Sequence, residues 1–138
     1  MKRVLFLCIG NACRSPMAEG FANHHGKGWL TAYSAGSRPA GIIMPNTIEA
    51  MREKGIDISQ QRSKGVSEIN LLLIHWIVIL EETLANSIPM DSLESEVLHW
   101  FVPDPIGQPI DAYRKVRDEI EKKVLTFISI LEPLVSQH

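Results

Sequence analysis

An apolar run, Val4-Leu5-Phe6-Leu7, passes without interruption into Cys8-Ile9-Gly10-Asn11-Ala12-Cys13-Arg14-Ser15, and Pro16 then opens a helical pattern. A strand that is apolar at every position is buried on both faces, as strands are in parallel sheets. Parallel neighbours need long crossovers, usually helices, so this opening alone directs the chain towards an α/β fold. The loop between strand and helix holds turn-forming Gly10 and Asn11, and the helix N-terminus follows at Ser15-Pro16. Inward N–H groups of such a loop, with the helix dipole behind them, make a cradle for an anion.

The rest of the chain repeats the alternation. Met17, Ala18, Phe21 and Ala22 fall at helical spacing, and Gly26 and Gly28 end that helix. A second strand is expected over residues 30–35, followed by a Gly- and Pro-containing loop over residues 36–41. A short helix over residues 46–54 turns Ile48 and Met51 inward and closes at Gly55, and residues 56–59 leave it extended. Residues 67–73 read as one or two helical turns, residues 76–80 as a strand, and residues 81–96 as polar loop with helical pieces. Trp100-Phe101-Val102 reads as the last strand, closed by Pro103-Asp104-Pro105. From Asp111 onward, Tyr113, Val116, Ile120, Val124, Phe127 and Leu131 define one long amphipathic helix. The expected architecture is a three-layer α/β domain over residues 1–138, with a four-stranded parallel sheet and helices on both faces. Ligands in such folds sit beyond the C-terminal strand ends, where Cys8 and Asp104 both fall.

Composition excludes several classes of function. Net charge is −2, so no nucleic-acid or anionic-membrane partner is expected. Residues 71–80 form the longest apolar segment and include His75, well short of the ~20 residues that span a bilayer. Met1-Lys2-Arg3 precedes a strand rather than a signal peptide, so the expected compartment is the cytoplasm. Cys8 and Cys13 are the two cysteines, too few for a zinc site, and His24, His25, His75, His99 and His138 lack ligand spacing. No metal and no cofactor are expected.

Chemistry concentrates in the loop. Cys8 is the candidate nucleophile, its thiolate favoured by positive surroundings. Arg14 can hold two oxygens of a tetrahedral oxyanion in its planar fork, and Ile9, Gly10, Asn11, Ala12 and Cys13 supply the cradle. Ser15 can donate a hydrogen bond to the sulfur, and Asn11 tolerates the left-handed backbone a tight loop requires. Asp104, stiffened between two prolines, is the candidate general acid. With a phosphate monoester these parts would form a phosphocysteine and then hydrolyse it. Each residue also has a plainer reading: a cysteine after a strand is often packing, and Asp-Pro is a common turn. The joint spacing favours chemistry. Cys13 alone reads as structural, with a redox partnership to Cys8 as the alternative, and Glu81 and Glu82 read as solvated. The loop has no Gly-Lys-Ser/Thr and no Cys-x-x-Cys, which sets aside nucleotide P-loops and thioredoxin-like chemistry.

These residues resemble the low-molecular-weight protein tyrosine phosphatases and the arsenate reductases that share their fold. The resemblance rests on the Cys8-to-Ser15 motif and Asp104-Pro105. Met17-Ala18-Glu19, Ser34-Ala35-Gly36, Gly55-Ile56-Asp57-Ile58-Ser59 and the C-terminal helix extend it over nearly the whole chain. It implies Cys8 as nucleophile, Arg14 as oxyanion ligand and Asp104 as general acid. His99-Trp100 and residues 113–120 look more like the reductases. Reductases of this type that use thioredoxin carry two further cysteines after the third strand, whereas this chain has Leu80-Glu81-Glu82 there. Lys64 stands where some of them use an acidic residue near a potassium ion, so that ion is not carried over. Many of the phosphatases place tyrosines after the Asp-Pro, where this chain has Ile106-Gly107-Gln108-Pro109. The leading expectation is a cysteine-dependent hydrolase of a phosphorylated protein, with phosphotyrosine as the residue, or of a small phosphomonoester. The alternative is an arsenate reductase drawing on an external thiol or glutaredoxin-type reductant. A non-catalytic oxyanion-binding or redox-sensing module is the third.

Overall fold

Side chains alternate across a strand, and the apolar run of the first strand, β1 (Lys2–Cys8), therefore feeds two cores at once. Val4, Phe6 and Cys8 face one layer, and Leu5 and Leu7 the other. The computed structural model describes residues 1–84 and 94–135. It places β1 at the centre of a parallel sheet of order β2-β1-β3-β4, with β2 at Leu30–Gly36, β3 at Trp76–Ile79 and β4 at Glu96–His99. Register runs Cys8 opposite Gly36 on one side and Leu7 opposite Ile79 on the other. The chain leaves β1 for β2 and later returns to the opposite side of β1 as β3. A switch point therefore lies beyond the C-terminal ends of β1 and β3.

Three α-helices cover the first face: α1 (Arg14–His25), α2 (Pro45–Arg52) and α3 (Ile110–Val135). Met17 and Phe21 of α1, Ala50 and Met51 of α2, and Ile120 and Val124 of α3 close over Val4 and Phe6. Phe127 of α3 lies between Trp76 and Trp100, with ring centroids 5.5 and 5.7 Å away. The second face carries 3-10 turns instead, at Val66–Glu68, Leu71–Leu73 and Glu82–Leu84. Ile74, Ile77, Ile79 and Leu84 fill that core.

The last strand differs from its sequence reading. β4 is Glu96–His99 and pairs with β3, whereas Trp100-Phe101-Val102 lies beyond its end. As an edge strand, β4 is only half-buried at Val97 and Leu98 and carries polar ends, so it lacks an apolar run. Trp100 is apolar for another reason, packing on Phe6 at 5.8 Å. Of the ambiguous stretch 81–96, residues 85–93 lie outside the described residues, as does His138. Among the described residues no helix is long and apolar enough to cross a membrane.

α2 ends as its glycine predicts. Gly55 adopts φ +76°, its N–H donates to Arg52 O, and the Ile56 N–H donates to Met51 O. Glu53, in the same turn, accepts from Arg114 and Arg117 of α3. Those guanidinium bonds, Arg114 first, hold its carboxyl down at about 2 rather than 4.5. A carboxyl lowered on folding contributes stability that is present above its ordinary value and lost as pH falls towards its folded value. Urea midpoints should therefore drop between pH 4.5 and about 2, and Glu53→Gln should flatten that part of the profile. An unchanged acid limb in the variant would show that this tie between α2 and α3 is not felt.

Candidate active site

The loop after β1 is shaped by where its carbonyls go. Ser37 N–H donates to Cys8 O (3.2 Å), Arg38 N–H to Ile9 O (2.9 Å), and Ala40 N–H to Gly10 O (2.8 Å). Ala12 O accepts from Met44 N–H and from the Thr47 hydroxyl, each at 3.0 Å. In a trans peptide the next N–H points opposite to the carbonyl. Turning these carbonyls outward therefore turns the amides of Ile9, Gly10, Asn11 and Cys13 inward. Among the described residues, no N–H of residues 9–14 donates to a protein acceptor. Gly36 lets β2 come this close: a Cβ there would lie 2.4 Å from Ile9 O and 2.9 Å from Asn11 N.

Asn11 is the hub. It sits at φ +47° with its side chain wholly buried. Its Oδ1 accepts from the Lys64 backbone N–H at 2.9 Å. A backbone N–H can only donate, so the amide orientation is settled and Nδ2 faces Ser15 (2.8 Å) and Ser34 (2.9 Å). The Ser15 oxygen thus already accepts one bond, which leaves its proton for Cys8 Sγ, 2.9 Å away. The Ser34 hydroxyl in turn donates a hydrogen bond to Glu19 of α1. Burial raises the Glu19 carboxyl above its ordinary value, only partly offset by the Ser34 hydroxyl and the charge of Lys64.

Arg14 opens α1 and is 3% exposed, its charge met by acceptors from two strand ends. Nη1 donates to Val102 O at 2.9 Å and to Glu81 Oε1 at 2.9 Å, with Leu80 O at 3.4 Å. Nη2 lies 3.5 Å from Asp104 Oδ2. Asp104 stands at the rim, its Oδ1 capping the Ile106 N–H at 3.0 Å. The structure thus gathers Cys8, Arg14, Ser15 and Asp104, and Cys8, Gly10, Ala12, Cys13, Arg14, Asp104 and Ile106 line one small hollow. Ile9 instead packs on the second core with its carbonyl outward, so its contribution to the cradle is its N–H.

One expectation changes, and a second is narrowed towards its plainer alternative. Glu81 is not a solvated carboxylate but the ionic partner of Arg14, while Glu82 is exposed. Cys13 is buried beside the hydroxyls of Thr47 and Tyr113, and burial pushes its thiol up to about 11. It is therefore protonated near neutral pH, which weakens its candidacy as a redox partner. Sequence reasoning assigned no role to Glu19, Ser34 or Lys64. The first two lie in short segments that carried the family resemblance, but no spacing rule links them to Asn11. Among the described residues no three His, Cys, Asp or Glu side chains converge as a metal site.

A buried thiol facing a loop of inward N–H groups and an arginine, beyond the strand ends of a parallel sheet of this order, is the arrangement of a phosphatase-type class of α/β proteins. The family model for low molecular weight phosphotyrosine protein phosphatase matches residues 3–136, and the chain belongs to that family. The chain is 39% identical over 133 residues to an arsenate reductase of Halalkalibacterium halodurans, covering 91% of this chain and 94% of that one. A solved arsenate reductase in its phosphate-binding state superposes with TM-score 0.85 at 35% identity, over 94% of this chain and 98% of the other. A low molecular weight protein tyrosine phosphatase from T. tengcongensis superposes with TM-score 0.86 at 29% identity, over 95% of this chain and all (100%) of the other.

The close approach at Gly36 is directly testable. Gly36→Ala should cost about 1–3 kcal/mol in chemical denaturation and shift the amide resonances of Ile9 and Asn11. A variant with wild-type stability and unshifted loop amides would contradict the packing described.

Proposed function

We propose that the chain reduces arsenate with electrons from an external thiol. The observation that carries this reading is a thiol-floored oxyanion cradle in a chain with no cysteine besides Cys8 and Cys13. Its similarity to proteins named arsenate reductases supports the choice of oxyanion. The phosphomonoesterase expectation becomes the second reading, supported by the family as a whole and by Asp104 at the rim.

Cys8 attacks arsenic in line while Arg14 and the inward amides hold the oxygens, and a water leaves as the sulfur–arsenic bond forms. Ser15, hydrogen-bonded to Sγ, stabilises the thiolate before attack. Cys8 is 2% exposed, so an incoming thiol meets arsenic at the mouth rather than the sulfur at the floor. That thiol displaces a second water from arsenic. A further thiolate then attacks the outer sulfur; a disulfide forms, the arsenic–sulfur electron pair stays on arsenic, and arsenic(V) becomes arsenic(III). Water cleaves the remaining bond to Cys8, releasing arsenite and the free thiol. Two thiols become one disulfide, which supplies the two electrons arsenate takes up. The reductant class is a small thiol or a glutaredoxin-type protein, in a reducing compartment such as the cytoplasm.

In the second reading the same attack on phosphorus expels an alkoxide or phenoxide, which Asp104 protonates. Asp104 later activates the water that hydrolyses the phosphocysteine. Ile106 supplies no aromatic wall, so this reading covers phosphomonoesters in general rather than phosphotyrosine alone.

Assays of the pure protein with arsenate plus thiol donors, and in parallel with an aryl phosphate, separate the two readings. Arsenate-dependent thiol oxidation should appear and vanish in Cys8→Ser. Asp104→Asn should slow any aryl phosphate hydrolysis by about 10²–10⁴ and arsenate reduction much less. Aryl phosphate turnover with no arsenate-dependent oxidation by any donor would replace the first reading with the second.

A further inference from the structure

We propose that Glu81 is a positioning residue for Arg14, anchoring the rear of its guanidinium so that the opposite edge faces the oxyanion. This rests on the reading of the loop as an oxyanion site, whichever oxyanion it serves.

The contacts of Arg14 are one-sided. Nη1 is saturated by Glu81 Oε1 and the Val102 and Leu80 carbonyls. Nε makes no hydrogen bond among the described residues, and Nη2 has only the looser 3.5 Å pairing with Asp104. Nε and Nη2 form the side-on edge of a guanidinium, the edge that takes two oxygens of a tetrahedral anion. Fixing Nη1 therefore presents the useful edge without occupying it.

Glu81 is itself fixed. Its Oε2 accepts from the Thr83 N–H at 3.0 Å and the Thr83 hydroxyl at 2.9 Å, and its side chain is 17% exposed. One oxygen is thus tied to the turn after β3 and the other to Arg14. Burial alone would raise this carboxyl, but the Thr83 and Arg14 bonds outweigh it and hold it below its ordinary value, so it is ionised near neutral pH. The Arg14 charge would otherwise sit buried against neutral carbonyls, free to swing towards Asp104.

Because Glu81 grips the rear, removing it should weaken anion binding rather than relieve competition. Isothermal titration with inorganic phosphate at fixed pH and ionic strength tests this, alongside urea denaturation of each variant. Glu81→Ala should bind phosphate about tenfold or more weakly than wild type, in line with the cost of misplacing an oriented group. Glu81→Gln keeps one acceptor oxygen but cannot satisfy both Arg14 and Thr83, and should fall between. Thr83→Val, which leaves Arg14's direct contacts in place, should show a smaller loss in the same direction. A purely structural role would lower the urea midpoint and leave the phosphate affinity of the folded protein untouched. Wild-type or tighter affinity in folded Glu81→Ala, or in Glu81→Gln and Thr83→Val should Glu81→Ala fail to fold, would overturn the proposal. Failure of the wild type itself to bind phosphate would overturn the oxyanion reading and this inference with it.

Discussion

The Asn11 side chain is the interaction on which the rest of the site depends. One buried amide joins three segments far apart in sequence: the α1 start through Ser15, β2 through Ser34, and the residue 64 backbone. An unmade bond at any of these would cost about 1–3 kcal/mol in a buried setting. The network thus keeps the loop in a left-handed turn at φ +47° that an ordinary chain would leave. From that turn follow the outward carbonyls, the inward amides and the Ser15 proton directed at Cys8. The shape of the proposed anion site is consequently a backbone property, held by buried side chains behind the loop.

Electrostatics complete the picture around Arg14. A buried guanidinium needs acceptors, and it finds them at the ends of β3 and in the segment after β4, two elements that meet only because β3 lies between β1 and β4. The sheet order thus decides which carboxylates reach the site. Glu81 arrives from β3 and Asp104 from beyond β4, on either side of one guanidinium. Cys13 shows the converse. It lies in the same loop, yet its thiol faces Thr47 and Tyr113 in the α layer and is pushed away from reactivity by burial.

How much of this was legible depended on locality. β1, the loop and α1 were readable because apolar run, turn residues and helix start adjoin one another, and a parallel sheet follows from alternation. Gly55 was readable because a helix C-terminus needs a residue at positive φ. β4 was misplaced because an edge strand reading Glu96-Val97-Leu98-His99 has no apolar run, while Trp100 is apolar for packing on Phe6. Glu81 was misread because its partner lies 67 residues away and only the pairing of β1 with β3 brings them together. Glu19 and Ser34 escaped for the same reason. The choice between oxyanions is not local either, since arsenate and phosphate have nearly the same shape and charge and differ in what can follow at the central atom.

Outward carbonyls at Cys8, Ile9, Gly10 and Ala12, and N–H groups of residues 9–14 without an acceptor among the described residues, are what the proposed anion site rests on. Titrating isotope-labelled protein with inorganic phosphate and following backbone amide resonances tests it most directly. Saturable shifts concentrated at Ile9, Gly10, Asn11, Ala12, Cys13 and Arg14 are the predicted result. Saturable shifts centred elsewhere, for instance on Arg3, Arg62 and Lys64 across the second face, with the loop amides unmoved, would contradict it.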